Sequence, residues 1–117
     1  MNYLTYLLKR KNEFQIHSPF VYAFYTKYLK GNDAGALVDL GLTAVVDCPV
    51  GALLDRYLSD LEENRVFVTY DMHKSKENEA VWKAICEHPE VVLTLDRYAV
   101  GYVFYKKGME KQNMILR

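Results

Sequence analysis

The sequence predicts a single α/β domain built on a mixed sheet of about four strands, and three observations carry that prediction. Val66-Phe67-Val68-Thr69-Tyr70 is a short β-branched and aromatic run ended by Asp71, and a helix-shaped segment opens behind it at Ser75. Thr43-Ala44-Val45-Val46 is a second buried-type run, and a strand, helix, strand unit from Thr43 to Asp71 has the ~30 residues that a right-handed crossover needs. Val91 to Leu95 and Val100 to Tyr105 are separated only by Asp96-Arg97-Tyr98-Ala99, a link too short for anything but an antiparallel pair. The stretch from Arg65 to Glu87 is therefore the centre of the domain, a strand feeding a helix. In open α/β sheets ligands collect beyond the carboxyl ends of such strands, which directs attention to Asp71, Met72 and His73.

Taken in order, Tyr3 to Lys11 places Leu4, Leu7 and Leu8 on one helical face, with Lys9, Arg10 and Lys11 at the end where positive charge suits the helix dipole. Ser18-Pro19 reads as an N-cap followed by proline at the first helical position. The helix that follows carries Phe20, Val21, Phe24, Tyr25, Tyr28 and Leu29 as a wide core stripe and is expected to stop at Gly31. His17, just before the cap, is a local hydrogen-bonding residue or, less simply, a ligand. Gly31-Asn32-Asp33-Ala34-Gly35 is linker-like, and Leu37 to Leu40 fits either a strand or a last helical turn.

Pro49 marks the start of a helix in which Leu53, Leu54, Tyr57, Leu58 and Leu61 share one face, with Asp55, Arg56, Asp60, Glu62 and Glu63 on the other. In the helix from Ser75, Glu77 and Glu79 oppose the dipole favourably, Ala80, Val81, Ala84 and Ile85 are expected to face the sheet, and His88-Pro89 ends the element. Lys106 to Lys111 reads as a polar turn and Asn113 to Leu116 as a possible last strand.

Composition narrows the function. Among 117 residues, fifteen basic side chains balance fifteen acidic ones, so no global field draws in nucleic acid or an anionic membrane. A nucleic-acid role would rest on Lys9, Arg10 and Lys11 and the nearby tyrosines alone, without a recognition motif. Cys48 and Cys86 lack metal-ligand spacing and no leader is visible, so a reduced, cytoplasmic protein is expected. No apolar run approaches the ~20 residues that span a bilayer.

Three stretches carry a family resemblance. Ile16-His17-Ser18-Pro19-Phe20-Val21, Val68-Thr69-Tyr70-Asp71-Met72-His73-Lys74-Ser75-Lys76-Glu77 and the closing hairpin from Thr94-Leu95-Asp96-Arg97-Tyr98 to Lys106 resemble segments of an O-methyltransferase-like group typical of Bacteroidetes. That group belongs to the class I S-adenosylmethionine-dependent methyltransferases, and the resembling region covers about nine tenths of the chain. The resemblance implies a Rossmann-like fold whose final strand inserts antiparallel beside the fifth.

It also implies a departure. Such enzymes hold the cofactor at a glycine-rich turn after their first strand and bind its ribose with an acid after the second, and neither feature is present here. Beyond the N-terminal helices about 80 residues remain, too few for seven strands at ~30 residues per unit. The expectation is a truncated fold holding strands four, five, seven and six, with no cofactor-binding residues of its own. It is expected to be non-catalytic and to act as an oligomeric module.

The rival reading is an S-adenosylmethionine-dependent O-methyltransferase whose pocket another chain completes. By the same resemblance, Asp47 and Asp71 occupy the carboxylate positions that hold a divalent metal in metal-dependent relatives, with His73 close by. Magnesium or calcium suits such oxygen ligands. Tyr70 stands where the first aspartate of the usual pair would be, and strand-end carboxylates are also ordinary helix caps. Cys48, beside Asp47, has no evident histidine partner and reads as a buried thiol. A symmetric homodimer is expected through the strand Ala44 to Asp47, whose apolar edge carries no lysine or proline. No nucleic acid or membrane partner is expected.

Overall fold

A computed structural model describes residues 18–42, 44–59, 65–104 and 110–116. The Tyr3 to Lys11 helix with Lys9, Arg10 and Lys11, His17, Asp60 to Glu63 and most of the Lys106 to Lys111 turn lie outside the described residues, as do the side chains of Arg56, Tyr57 and Leu58.

β2 (Arg65–Tyr70) lies inside the sheet, next to its edge, and its side chains are apolar on both faces, a pattern that only a strand covered on both sides can bury. β1 (Ala44–Asp47) lies parallel beside it, with Val46 opposite Phe67 and Asp47 opposite Val68. On its other side is β4 (Val100–Phe104), antiparallel, which in turn pairs antiparallel with β3 (Leu93–Asp96). β5 (Gln112–Ile115) closes that side parallel to β3, giving the order β1-β2-β4-β3-β5. The sheet thus has five strands, one more than the four expected. The tail segment becomes a full strand because Thr94 and Asn113 bond side chain to side chain across the ladder, and Lys111 Nζ donates to the carbonyls of His88 and Val91, both at 2.7 Å.

One face is covered by α1, whose first turn (Pro19–Ala23) continues as a wider π-helical stretch (Phe24–Lys30). Ser18 caps it, its Oγ accepting from Val21 N at 3.3 Å. Phe24 packs edge-on to Phe104 at 5.0 Å and to Tyr102 at 5.5 Å, a favoured aromatic geometry, so the predicted stripe does form this core. Gly31 ends the helix for a different reason than expected. Its φ of −86° is ordinary, and Asn32 takes the left-handed conformation at 52°. A side chain at 31 would instead meet the Lys27 carbonyl oxygen at 2.7 Å, because the widened turn brings that group close. Leu37 to Leu40 resolves as helix, in α2 (Gly35–Asp39) and its cap, with Leu37 and Leu40 packed on the same core.

The opposite face is covered by α3 (Val50–Ser59) and α4 (Lys76–Glu87). Leu53 is fully buried and Leu54 partly so, as the periodicity predicts. Ser75 caps α4, its Oγ accepting from Asn78 N at 3.1 Å, and His88 before Pro89 leaves the helical region at ψ 130°. The buried side of α4 differs from expectation. Trp82 and Ile85 are buried with Val81 and Cys86 packed beside them, while Ala80 and Ala84 are exposed. The large indole sets the rotation of the helix. It fits because β4 offers Gly101 beneath it, where an added Cβ would lie 2.8 Å from both the Trp82 ring and the Met72 methyl. Met72 is wholly buried in this core and is no site residue. No helix among the described residues is long and apolar enough to cross a membrane.

Candidate functional site

Three clefts carry the predicted site residues, and the third, of about 360 Å³, is lined by Asp71 and His73 together with Lys74, Tyr98 and Ala99. The first, of about 500 Å³, lies beyond β1 and β2 and is lined by Asp47, Tyr70, Asp71, Asn78 and the start of α3 at Val50 and Gly51. Parallel pairing carries both strands to the same end of the sheet, which brings Asp47 and Asp71 together as expected. Both are exposed, and among the described residues neither carboxylate makes an ion pair.

Asp71 caps no helix. Its backbone is left-handed at φ 60°, its N–H donates to Ala99 O at 3.1 Å, and its carbonyl accepts from Lys74 N at 3.2 Å and from the Asn78 side-chain amide at 3.1 Å. Aspartate tolerates that conformation better than most residues. Cys48 is buried behind Asp47, its thiol turned to the Pro49 carbonyl at 3.6 Å, which agrees with a structural thiol.

Oxygen donors of this kind suit magnesium, which proteins commonly hold through one or two carboxylates. The fit is incomplete. Asn78 spends an amide hydrogen on the Asp71 backbone, and no group of three histidine, cysteine or acidic side chains gathers among the described residues.

His73 leaves that cleft. Its ring turns inward, the side chain only 4% exposed, with Nε2 2.6 Å from Asp96 Oδ2 and Nδ1 3.0 Å from Glu79 Oε2. Asp96 is 6% and Glu79 30% exposed. A neutral imidazole has one N–H, so two hydrogen bonds to carboxylates require two protons along the line from Glu79 through His73 to Asp96. Such charge-assisted bonds are the strong ones, and here they tie the loop after β2 to both α4 and β3. Asp96 is itself fixed, its Oδ1 accepting from Tyr98 N at 2.8 Å. Tyr98 stacks on the imidazole at 5.1 Å with 27° between the rings, and holds a φ of 69° to do so. For a bulky residue that is a genuine backbone outlier, and such outliers cluster at built sites.

The triad was not read from the sequence. Asp96 counted there as part of a hairpin link and Glu79 as a favourable first-turn charge. The signal was present in one respect: Asp96, like Asp71, is an acid at the carboxyl end of a strand. Arg97, the residue after Asp96 in the turn, stands over the Tyr25 ring at 5.8 Å on the α1 face.

The second cleft, of about 530 Å³, runs from the triad between α4 and β5. Cys86 lines it, its Sγ 3.5 Å from Thr94 Oγ1, and burial pushes the thiol above its ordinary range. Comparison of the chain with protein-family models, with curated proteins and with solved structures returned no match for any of the three.

Proposed function

We propose that the chain is a methyltransferase-like, non-catalytic module that has no S-adenosylmethionine site of its own and works as a homodimer. The observation that supports this reading is the sheet order. β4 lies antiparallel between β2 and β3, so the run β1-β2-β4-β3 is compatible with the expected order of strands four, five, seven and six, while β5 has no place in that order. On that correspondence the strands that carry the cofactor would lie beyond β1. Among the described residues no strand pairs with the outer edge of β1. Of the segments that could cover it, Leu37 to Leu40 is packed as helix against the α1 core, and the N-terminal helix expected from Tyr3 to Lys11 lies outside the described residues.

The open edge also favours a dimer. Val45 is 39% exposed, and β1 has none of the lysines or prolines that blunt natural edges. Two copies related by a twofold axis would pair antiparallel and make one ten-stranded sheet, not the eight-stranded one that a four-stranded unit would give.

The rival, an O-methyltransferase completed by a second chain, is favoured by one observation, the convergence of Asp47 and Asp71 on one cleft. In it the two carboxylates would hold a magnesium ion, which would bind the acceptor's oxygens. His73 has no part in that site, since both ring nitrogens are engaged elsewhere. Calorimetric titration with S-adenosylmethionine separates the readings. The module produces no saturable heat, whereas micromolar binding by the purified chain would transfer the case to the enzyme.

A further inference from the structure

A smaller pocket lies on the α1 face of the sheet, where the end of α1 meets the turn between β3 and β4. Its volume is about 250 Å³, and its walls are Tyr28, Leu29, Asn32, Ala34, Arg97 and Tyr102. Among the described residues Arg97 is the only charged group in those walls, and no acid lines them. The two acids nearest in sequence are engaged elsewhere. Asp33 Oδ1 accepts from Gly35 N at 3.0 Å, and Asp96 bonds His73 and the Tyr98 N–H.

Arg97 is set in place by main chain and side chain together. Its N–H donates to Val100 O and its carbonyl accepts from Ala99 N, both at 2.9 Å. The guanidinium stands over the buried Tyr25 ring at 5.8 Å and donates to the Tyr102 hydroxyl. A guanidinium carries five N–H donors in a rigid fork, so it can serve a protein oxygen and a ligand at once. Burial pushes the Tyr102 hydroxyl above its ordinary range, so near neutral pH it keeps a proton, and with Arg97 on its acceptor side that O–H can donate. Tyr28, its ring 5.2 Å from Phe24, adds a second phenolic O–H, and Asn32 adds an amide. Lys30 Nζ stands over the same Tyr25 ring at 5.5 Å, which puts a second positive charge beside the pocket.

We infer that this pocket binds the phosphoryl group of a small phosphate monoester. The Arg97 fork takes two phosphoryl oxygens, and Tyr28, Tyr102 and Asn32 supply donors for the third. A carboxylate has only two oxygens and one negative charge, and the fork alone would satisfy it. A phosphate monoester brings three terminal oxygens and a charge of about −1.5 to −2 near neutral pH, which matches a ring of donors with a second cation at its edge. The pocket is smaller than the ~300 Å³ at which ordinary small-molecule sites begin, so it holds the phosphoryl group and leaves the rest of the ligand at the rim formed by Leu29 and Ala34. The inference does not depend on the methyltransferase-like reading, since none of these residues lines the Asp47 and Asp71 cleft.

The test is calorimetric titration of the full chain, in phosphate-free buffer, with phenyl phosphate, inorganic phosphate and benzoate in turn. Saturable one-to-one binding of both phosphates is expected, with benzoate at least about tenfold weaker. Arg97→Lys keeps the charge but not the fork and should weaken phenyl phosphate binding about tenfold or more. Tyr28→Phe keeps the ring on Phe24, loses only the hydroxyl and should weaken binding about fivefold. Far-ultraviolet dichroism checks that each variant is folded, and if Arg97→Lys is not, Tyr28→Phe carries the decision. Absence of saturable heat with either phosphate would overturn the inference, as would benzoate binding as tightly as phenyl phosphate. So would unchanged affinity in Tyr28→Phe or in folded Arg97→Lys, or binding of inorganic phosphate without the ester.

Discussion

The cleft at Asp47 and Asp71 and the triad around His73 lie at the same end of one sheet, yet they are built in opposite ways. In the first, two carboxylates converge because parallel strands end together; the bonds that hold Asp71 are made by its main chain, and among the described residues neither carboxylate makes an ion pair. In the second, a loop, a helix and a hairpin each supply one member, and every polar atom at the centre has a partner. A position set by topology leaves its side chains free to change. One set by interlocked bonds makes each of them structural.

That contrast can be broken by mutation. Asp96→Ala should be the most damaging single change, about 3 kcal/mol, because it leaves His73 buried with a lost partner and frees the Tyr98 turn. Urea unfolding measures it, and a loss below 1 kcal/mol would show that the triad holds little together. Gly101→Ala comes next, at about 2 kcal/mol, since a methyl group there forces Trp82 and Met72 apart. A shifted Trp82 emission maximum should accompany the loss.

At the other cleft Asp71→Asn should change stability by less than about 0.5 kcal/mol, for asparagine also accepts the left-handed backbone and the bonds there are made by main-chain atoms. Millimolar magnesium should leave the melting temperature where it is. A rise that Asp71→Ala abolishes would show that the two carboxylates do hold an ion.

The smallest effect expected is on pH dependence. Burial raises the Cys86 thiol above 9.0 and the Tyr102 hydroxyl above 10.0, their ordinary values. On the rise above about pH 9 the unfolded chain gives up these protons first, so stability present below that pH falls as pH climbs through the folded values. Cys86→Ala should remove the earlier part of the decline. An unchanged profile in that variant would assign it elsewhere.

Local pattern made most of the fold legible. Ser18-Pro19, Ser75 and His88-Pro89 fix helix ends through bonds and sterics within a few residues, and the four-residue link between Leu95 and Val100 leaves only an antiparallel answer. The position of Asp47 and Asp71 was legible too, because strand ends follow from strands. What escaped depends on distant partners. α4 turns to bury Trp82 rather than its alanines because Gly101, nineteen residues on, leaves room for the ring. His73 turns inward because Asp96, 23 residues away, is waiting there, and no spacing rule links the two. β5 forms because Lys111 and Asn113 reach back to the end of α4 and to β3.

Completion of the β1 edge by a second copy can be seen by light scattering on the purified chain and on Val45→Pro. Proline removes the N–H of the most exposed valine in β1 and cannot serve in a continuous sheet. The wild-type particle should have roughly twice the 13.6 kDa chain mass, and the variant should be a folded monomer. A wild-type monomer at micromolar concentration, or a dimer indifferent to the proline, would contradict it.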